Sequence, residues 1–351
     1  MDKNITYHEQ INIDNVLKLR EVLKTLPPFA RDYFRAIEPT TSTRTRISYA
    51  YDIRIFFQFL LSENPSLRNK SVNDLTVDIL DQLQAVDIEE YQEYLKVYNN
   101  DDKTLTNGER GLKRKMSALR SFYDYYYKRE MIKSNPTLLV DMPKLHDKEI
   151  IRLDADETAE LLDYIEHCGD HLTGQKKVYY EKTKYRDLAI VTLLLGTGIR
   201  VSECVGLDVN DIDFKNGGIR VVRKGGNEMM VYFGEEVEEA LLNYLEIRAS
   251  ITPIAGHENA LFYSTQRKRI GVQAIENMVK KYAREVTTTK KITPHKLRST
   301  YGTSLYKETG DIYLVADVLG HKDVNTTRKH YAAMDEDRRR RAAGAVKLRE
   351  S

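Results

Sequence analysis

Six polar residues, spread along a chain of 351, stand in local settings that could support chemistry. Arg200 follows two glycines in the run GTGIRVSECVGL, with Glu203 three residues later. Lys224 occupies the glycine turn KGGN. His295 and Arg298 are three apart in TPHKLRST, a spacing that puts them on one helical face. His321 follows Leu319-Gly320 in VLGHKDVNTTRKHYAAM, and Tyr331 lies ten residues beyond it. Between them these side chains offer permanent cations for an anion, groups that move protons, and a phenol that becomes nucleophilic once deprotonated. Taken singly, each has an ordinary reading too: a surface arginine, a helix-capping histidine, a half-buried tyrosine among 23.

Other chemistries find less support. His167, Cys168 and His171 lie at helical spacing, but no fourth ligand is nearby and no CxxC occurs, so a zinc site is not expected. No GxGxxG, Walker loop or GxSxG elbow is present, and KGGN is too short to cradle a nucleotide, which argues against dinucleotide and ATP enzymes. Two cysteines exclude a disulfide framework and fit a reducing compartment. No stretch approaches the roughly 18 apolar residues of a membrane span, and the start MDKNITYHEQ lacks a signal-peptide pattern. A cytoplasmic protein is expected.

The elements that must carry these residues are mostly helices. In the first half, Tyr49, Ile53, Phe56, Phe57, Leu60 and Leu61 mark one buried helical stripe. A second helix is expected from Asp87 as its cap, with Ile88, Tyr91, Leu95 and Tyr98 inward. A third should run from about Asn107 to Arg129, burying Leu112, Met116, Leu119, Phe122, Tyr123 and Tyr126. Pro136 and Pro143 then break the helical rhythm. In the second half the spacing predicts helices over Asp154–His167 and Leu188–Leu195, the latter stopped by Gly196 and Gly198. The segments GGIRVVR and EMMVYF flank the KGGN turn as a hairpin. Helical periods return over Glu235–Arg248 and Val272–Glu285, and dominate from His295 onward, Thr293-Pro294 starting one helix. The fold class is mainly α with a small antiparallel β-sheet, an α+β chain.

The net charge of +2 conceals strong segregation. Residues 71–102 hold nine acids against one base, whereas residues 110–133 hold eight bases against two acids. Such blocks can hide a basic face, the footprint of a polyanionic partner, although a solvated helix surface has the same composition. Arg110, Lys113, Arg114 and Lys115 cluster at the start of the third helix, where exposed backbone amides already favour an anion.

Taken together and in this order, Arg200, Lys224, the His295-x-x-Arg298 box, Leu-Gly-His321 and Tyr331 resemble the pattern of the tyrosine recombinase (phage integrase) family. The resemblance covers about residues 150–340; Ser299 stands where the family often has histidine. It implies a helical core-binding domain with an N-terminal extension over residues 1–132 and a linker over 133–148. A catalytic domain follows over 149–338, and a tail over 339–351 would dock in trans. It further implies that Arg200 and Arg298 hold the scissile phosphate and that His295 and His321 assist. Lys224 would act as general acid and Tyr331 as the nucleophile forming a 3′-phosphotyrosyl link. Glu203 would orient Arg200.

Double-stranded DNA is the expected partner, bound through Arg44, Arg46, Arg110, Lys113, Arg114 and Lys115. A homo-tetramer or paired recombinase is expected on synapsed sites, with an accessory activator and no metal, cofactor or membrane. With only about 40 residues before the first strong helix, the layout resembles Xer-type recombinases that resolve chromosome dimers at a dif-like site. An integrase or excisionase of a phage or transposon is the alternative within the family. A type IB topoisomerase, using nearly the same chemistry as a monomer, and a catalytically silent architectural DNA-binding protein are the alternatives outside it.

Overall fold

The stripe from Tyr49 to Leu61 is the inner face of a long helix that begins earlier than the stripe suggests, at Thr43, where the Ser42 hydroxyl accepts the Thr45 amide at 3.3 Å. The structure, a computed structural model, describes residues 5–100, 103–146, 150–223, 226–321 and Val324. The chain divides into two units, Met1–Lys148 and Glu149–Ser351.

The first unit is built from α1 (Tyr7–Leu23), α2 (Ala30–Ala36), α3 (Thr43–Glu63), α4 (Ile79–Gln82) and α5 (Ala85–Tyr94). A hairpin of β1 (Val97–Asn100) and β2 (Lys103–Thr106) then leads into α6 (Glu109–Tyr127). Phe56, Phe57 and Leu60 of α3 pack with Met116, Leu119, Phe122 and Tyr126 of α6 in one core. Its rings meet edge to face, Phe57 and Phe122 at 6.0 Å and Phe56 and Tyr91 at 5.0 Å. Leu19, Val22, Tyr33 and Phe34 from α1 and α2 belong to this same core.

Two expectations are corrected here. Asp87 does not cap α5 but sits one turn inside it, its carboxylate accepting the Gln84 amide at 2.7 Å. Tyr98 lies on β1 instead of the helix, because the chain turns back after Leu95 and Asn107 ties it there, donating from Nδ2 to the Leu95 carbonyl at 2.7 Å. Residues 133–140, read as linker, pack into the first unit. Arg120 Nε donates to the Thr137 carbonyl at 3.0 Å, the Lys133 amide donates to Asp81 at 2.7 Å, and Val140 joins the core.

In the second unit, α7 (Ala155–His167) starts from a reciprocal cap: Asp154 accepts the Glu157 amide at 2.9 Å and Glu157 accepts the Asp154 amide at 2.9 Å. Next comes α8 (Gly174–Thr197), whose second half is buried against α10 (Glu235–Ala249) and α12 (Pro294–Thr309). That surrounding explains the unbroken apolar run, while the polar first half, expected outside the helix, continues the same α8. Gly196 lies within the helix; a Cβ there would meet Val237 Cγ2 of α10 at 2.4 Å. Gly198 ends it in the left-handed conformation, φ 63°.

After α9 (Val201–Gly206), strands β3 (Ile212–Asp213), β4 (Gly218–Val222) and β5 (Glu228–Tyr232) form an antiparallel sheet in that order, with Gly218 opposite Tyr232 and Val222 opposite Glu228. The unit continues through α11 (Val272–Val286), then α12 with Pro294 in its first turn. It reaches α13 (Ile312–Leu319), closed by Gly320 at φ 61°. The fold is mainly helical with small antiparallel sheets.

Candidate active site

A helix end leaves its last carbonyls without amide partners inside the helix. At the end of α13 two of these are met locally, the Gly320 amide donating to Asp317 O at 2.7 Å and the His321 amide to Ala316 O at 2.9 Å. Those of Val318, Leu319 and Gly320 are met by three arginines from three other elements. Positive charge there also opposes the negative end of the helix dipole.

Arg298, in the second turn of α12, is buried at 4% exposure. Its Nη1 donates to the Gly198 carbonyl at 2.6 Å and its Nη2 to the Leu319 carbonyl, so one planar guanidinium spans the ends of α8 and α13. Arg200, the residue before α9, donates from Nη2 to the Gly320 carbonyl at 3.4 Å. Glu203, itself buried, accepts both Arg200 Nη1 and the Arg200 backbone amide at 2.8 Å. The carboxylate therefore fixes side chain and main chain together.

The third arginine, Arg223, follows β4. It donates from Nη1 to Leu319 O and from Nη2 to Val318 O, both at 2.8 Å, and its Nη1 lies 3.8 Å from Glu203 Oε2. Burial lowers the Arg223 pKa below the ordinary arginine value, with Glu203 opposing the shift and Arg200 reinforcing it. Arg200 and Arg223 flank the Glu203 carboxylate, and with Arg298 at the same helix end they leave an excess of positive charge beside His321. Arg223 spends both Nη groups on the helix end, so the guanidinium with charge to offer an anion from a half-exposed position is that of Arg200.

Arg200, Arg298 and His321 are thus gathered at one turn, with Glu203 accepting from both the side chain and the main chain of Arg200. His295 sits one turn before Arg298 on α12 and is exposed. Lys224, Tyr331 and the tail 339–351 lie outside the described residues. Arg223 was missed in the sequence, although a signal existed. Ile219 and Val221 are the inward residues of β4, and period-two alternation places Arg223 on the same side.

The DNA-contact expectations divide. Arg44, Arg110 and Arg114 are exposed, and Lys113 is half-buried. Arg46 and Lys115 are corrected: both side chains are buried within the first unit. Arg46 Nη2 donates to Glu38 Oε1 and to Thr43 Oγ1, each at 3.4 Å. Lys115 Nζ lies 3.6 Å from Asp52, which also receives Arg114. Their positions fall on the inner faces of α3 and α6, where a charge persists only when paired. Burial raises the Asp52 pKa even so, with Arg114 and Lys115 drawing it back.

Among the described residues no three His, Cys, Asp or Glu side chains are grouped to hold a metal ion, and no helix is long and apolar enough to cross a membrane. A cavity of about 480 Å³ lies away from the arginine cluster, lined by residues that include Tyr185, Tyr244, Tyr263 and Arg267.

Residues 152–338 match the phage integrase family. Among similar proteins, tyrosine recombinase XerC of Caldanaerobacter subterraneus subsp. tengcongensis is 32% identical over 340 residues, covering 93% of this chain and 88% of that protein. Tyrosine recombinase XerS of Streptococcus uberis is 31% identical over 336 residues, covering 88% of this chain and 93% of its own. The fold resembles that of the XerH site-specific recombinase bound to a palindromic difH substrate in a post-cleavage complex, with a TM-score of 0.62, 20% identity, and coverage of 86% of this chain and 80% of that one. With the arginine cluster and the order of the motifs, these similarities mean that the chain belongs to the phage integrase family and is a tyrosine recombinase.

Proposed function

We propose that this recombinase is a Xer-type enzyme that cleaves and rejoins a dif-like chromosomal site. The observation that carries the reading is the convergence of Arg200 and Arg298 on the turn bearing His321. A DNA phosphodiester is anionic, and its transition state gathers further charge on the non-bridging oxygens. Arg200 and Arg298 hold those oxygens, and preorganised donors of this kind contribute about 3–4 kcal/mol each. His295 and His321 add hydrogen bonds, and the phenolic proton of Tyr331 passes to an imidazole. A free tyrosine has a pKa near 10, so it needs both a base and a cationic surrounding.

Tyr331 Oη attacks phosphorus, the bond to the 5′ oxygen breaks, and Lys224 delivers the proton that makes this oxygen a hydroxyl. The products are a 3′-phosphotyrosyl link and a free 5′ hydroxyl. A 5′ hydroxyl from another strand then reverses the step, with no external energy source. Every proton and charge in this scheme is handled by side chains of the protein.

Arg44, Arg110, Lys113 and Arg114 hold backbone phosphates, setting register without reading sequence. A tetramer acts on two synapsed sites, coupled through the tail 339–351. The Xer role over an element integrase is supported by the similarity to Xer recombinases along most of the chain.

A nicked suicide duplex tests both chemistry and role. Wild type should form a covalent adduct that Tyr331→Phe does not, and the trapped DNA should be dif-like. Adducts confined to element ends would favour an integrase. Binding without any adduct, even with partner proteins supplied, would leave the architectural reading.

A further inference from the structure

We propose that Arg223 is a positioning residue for strand cleavage, tying the base of the β4–β5 hairpin to the arginine–histidine turn so that the hairpin lysine meets the leaving oxygen. The inference rests on the reading above that Lys224 protonates that oxygen.

Arg223 closes the hairpin with its backbone: its amide donates to Asn227 O at 2.7 Å and its carbonyl accepts the Gly226 amide at 3.0 Å. Its side chain clamps the end of α13 through Val318 O and Leu319 O and approaches Glu203. One residue thus links the strand that precedes Lys224, the carboxylate that orients Arg200, and the turn that carries His321.

The turn is built to receive it. Gly320 has φ 61°, and a Cβ there would lie 2.7 Å from Arg223 Nη1, so the glycine and the arginine are matched. Stability is a poor explanation for the arrangement. The Arg223 side chain is 9% exposed, and its Nε has no hydrogen-bond partner. A buried guanidinium with an orphaned donor stabilises less than a well-packed apolar side chain of similar volume.

The test separates the hairpin's task from all others. In a duplex with sulfur at the 5′-bridging position of the scissile phosphate, the leaving group departs as a thiolate and needs no proton. Single-turnover cleavage by the full chain would be measured on oxygen and sulfur duplexes. Arg223→Met should cleave the oxygen duplex about 30-fold more slowly, a share of the roughly 10²–10⁴-fold that proton transfer contributes. On the sulfur duplex it should fall within about threefold of wild type, with DNA affinity unchanged, because the other groups remain in place. Arg223→Lys should show a smaller deficit with the same sulfur rescue, and serves if Arg223→Met does not fold.

Lys224→Ala is the control. If sulfur rescues Lys224→Ala but the Arg223 variants are slow on both duplexes, or slow on neither, the positioning role is overturned and the general acid stands. If sulfur fails to rescue Lys224→Ala, the general-acid reading falls, and this inference with it.

Discussion

At the scale of single residues, Arg298 serves the architecture directly, and the proposed mechanism gives the same side chain a grip on the scissile phosphate. Its guanidinium bridges the carbonyls of Gly198 and Leu319, which come from the ends of two helices. A lysine would keep the charge but present one nitrogen where two separated donors are used. Arg298→Lys should therefore lower single-turnover cleavage by about 10²–10³-fold, as for loss of a preorganised donor. Retention of more than a tenth of wild-type cleavage would mean that charge alone suffices. The box HKLR made this residue legible as a candidate, because helical spacing encodes which residues share a face. Nothing in that spacing revealed that Arg298 would be buried at 4% exposure while His295, on the same helix, would be exposed.

Among the elements, the helix ends decide the site. Gly198 terminates α8 at φ 63°, and a Cβ there would lie 2.3 Å from Tyr301 Cδ1 and 2.9 Å from Leu319 Cδ2. Gly198→Ala carries both the left-handed penalty and overpacking, and should destabilise the protein by about 2–4 kcal/mol. Gly174, also left-handed at φ 56° but with no atom near its missing Cβ, isolates the first contribution. Gly174→Ala should cost only about 1–2 kcal/mol in the same urea titration. Equal losses at the two positions would show that packing of the helix end against Tyr301 and Leu319 is unimportant. The stop at Gly198 was legible from its glycine. The start of α8 was not, since residues 174–187 are polar and lack a clear stripe, and the helix is continued by its burial partners further on.

For the molecule as a whole, the interior is rich in groups that titrate only at high pH. Burial raises the phenols of Tyr33, Tyr91, Tyr123 and Tyr126 in the first unit and of Tyr282 in the second. It pushes Tyr180 and Tyr244 up to about 12, and it also raises the Cys204 thiol. In each case the folded protein binds its proton more tightly than the unfolded chain does. The stabilisation is therefore complete below the unfolded values, about 8.5 for thiols and 10 for phenols, and is lost as pH rises through the folded ones. The urea midpoint should stay level from pH 7 to about 8.5 and then fall, steeply above about pH 10, each affected phenol contributing up to about 1.4 kcal/mol per pH unit. A midpoint unchanged at pH 11 would contradict the burial of these groups.

The amino-acid order by itself determined the helical stripes of α3 and α6, the span of α7, the β4–β5 hairpin and the order of the candidate residues. All of these depend on neighbours a few positions apart, where periodicity and capping act. Tertiary structure alone decided which cations face outward. Arg46 and Lys115 belong to the same basic runs as Arg44 and Arg114, yet their own side chains are buried, beside Glu38 and Asp52, while Arg114 reaches the same Asp52 from an exposed position. It alone brought Arg200, Arg223 and Arg298 to the end of α13, and so disclosed Arg223. The physical reason is common to both cases. Whether a charge is buried, and what it meets there, depends on the element packed opposite, and local spacing carries no record of that.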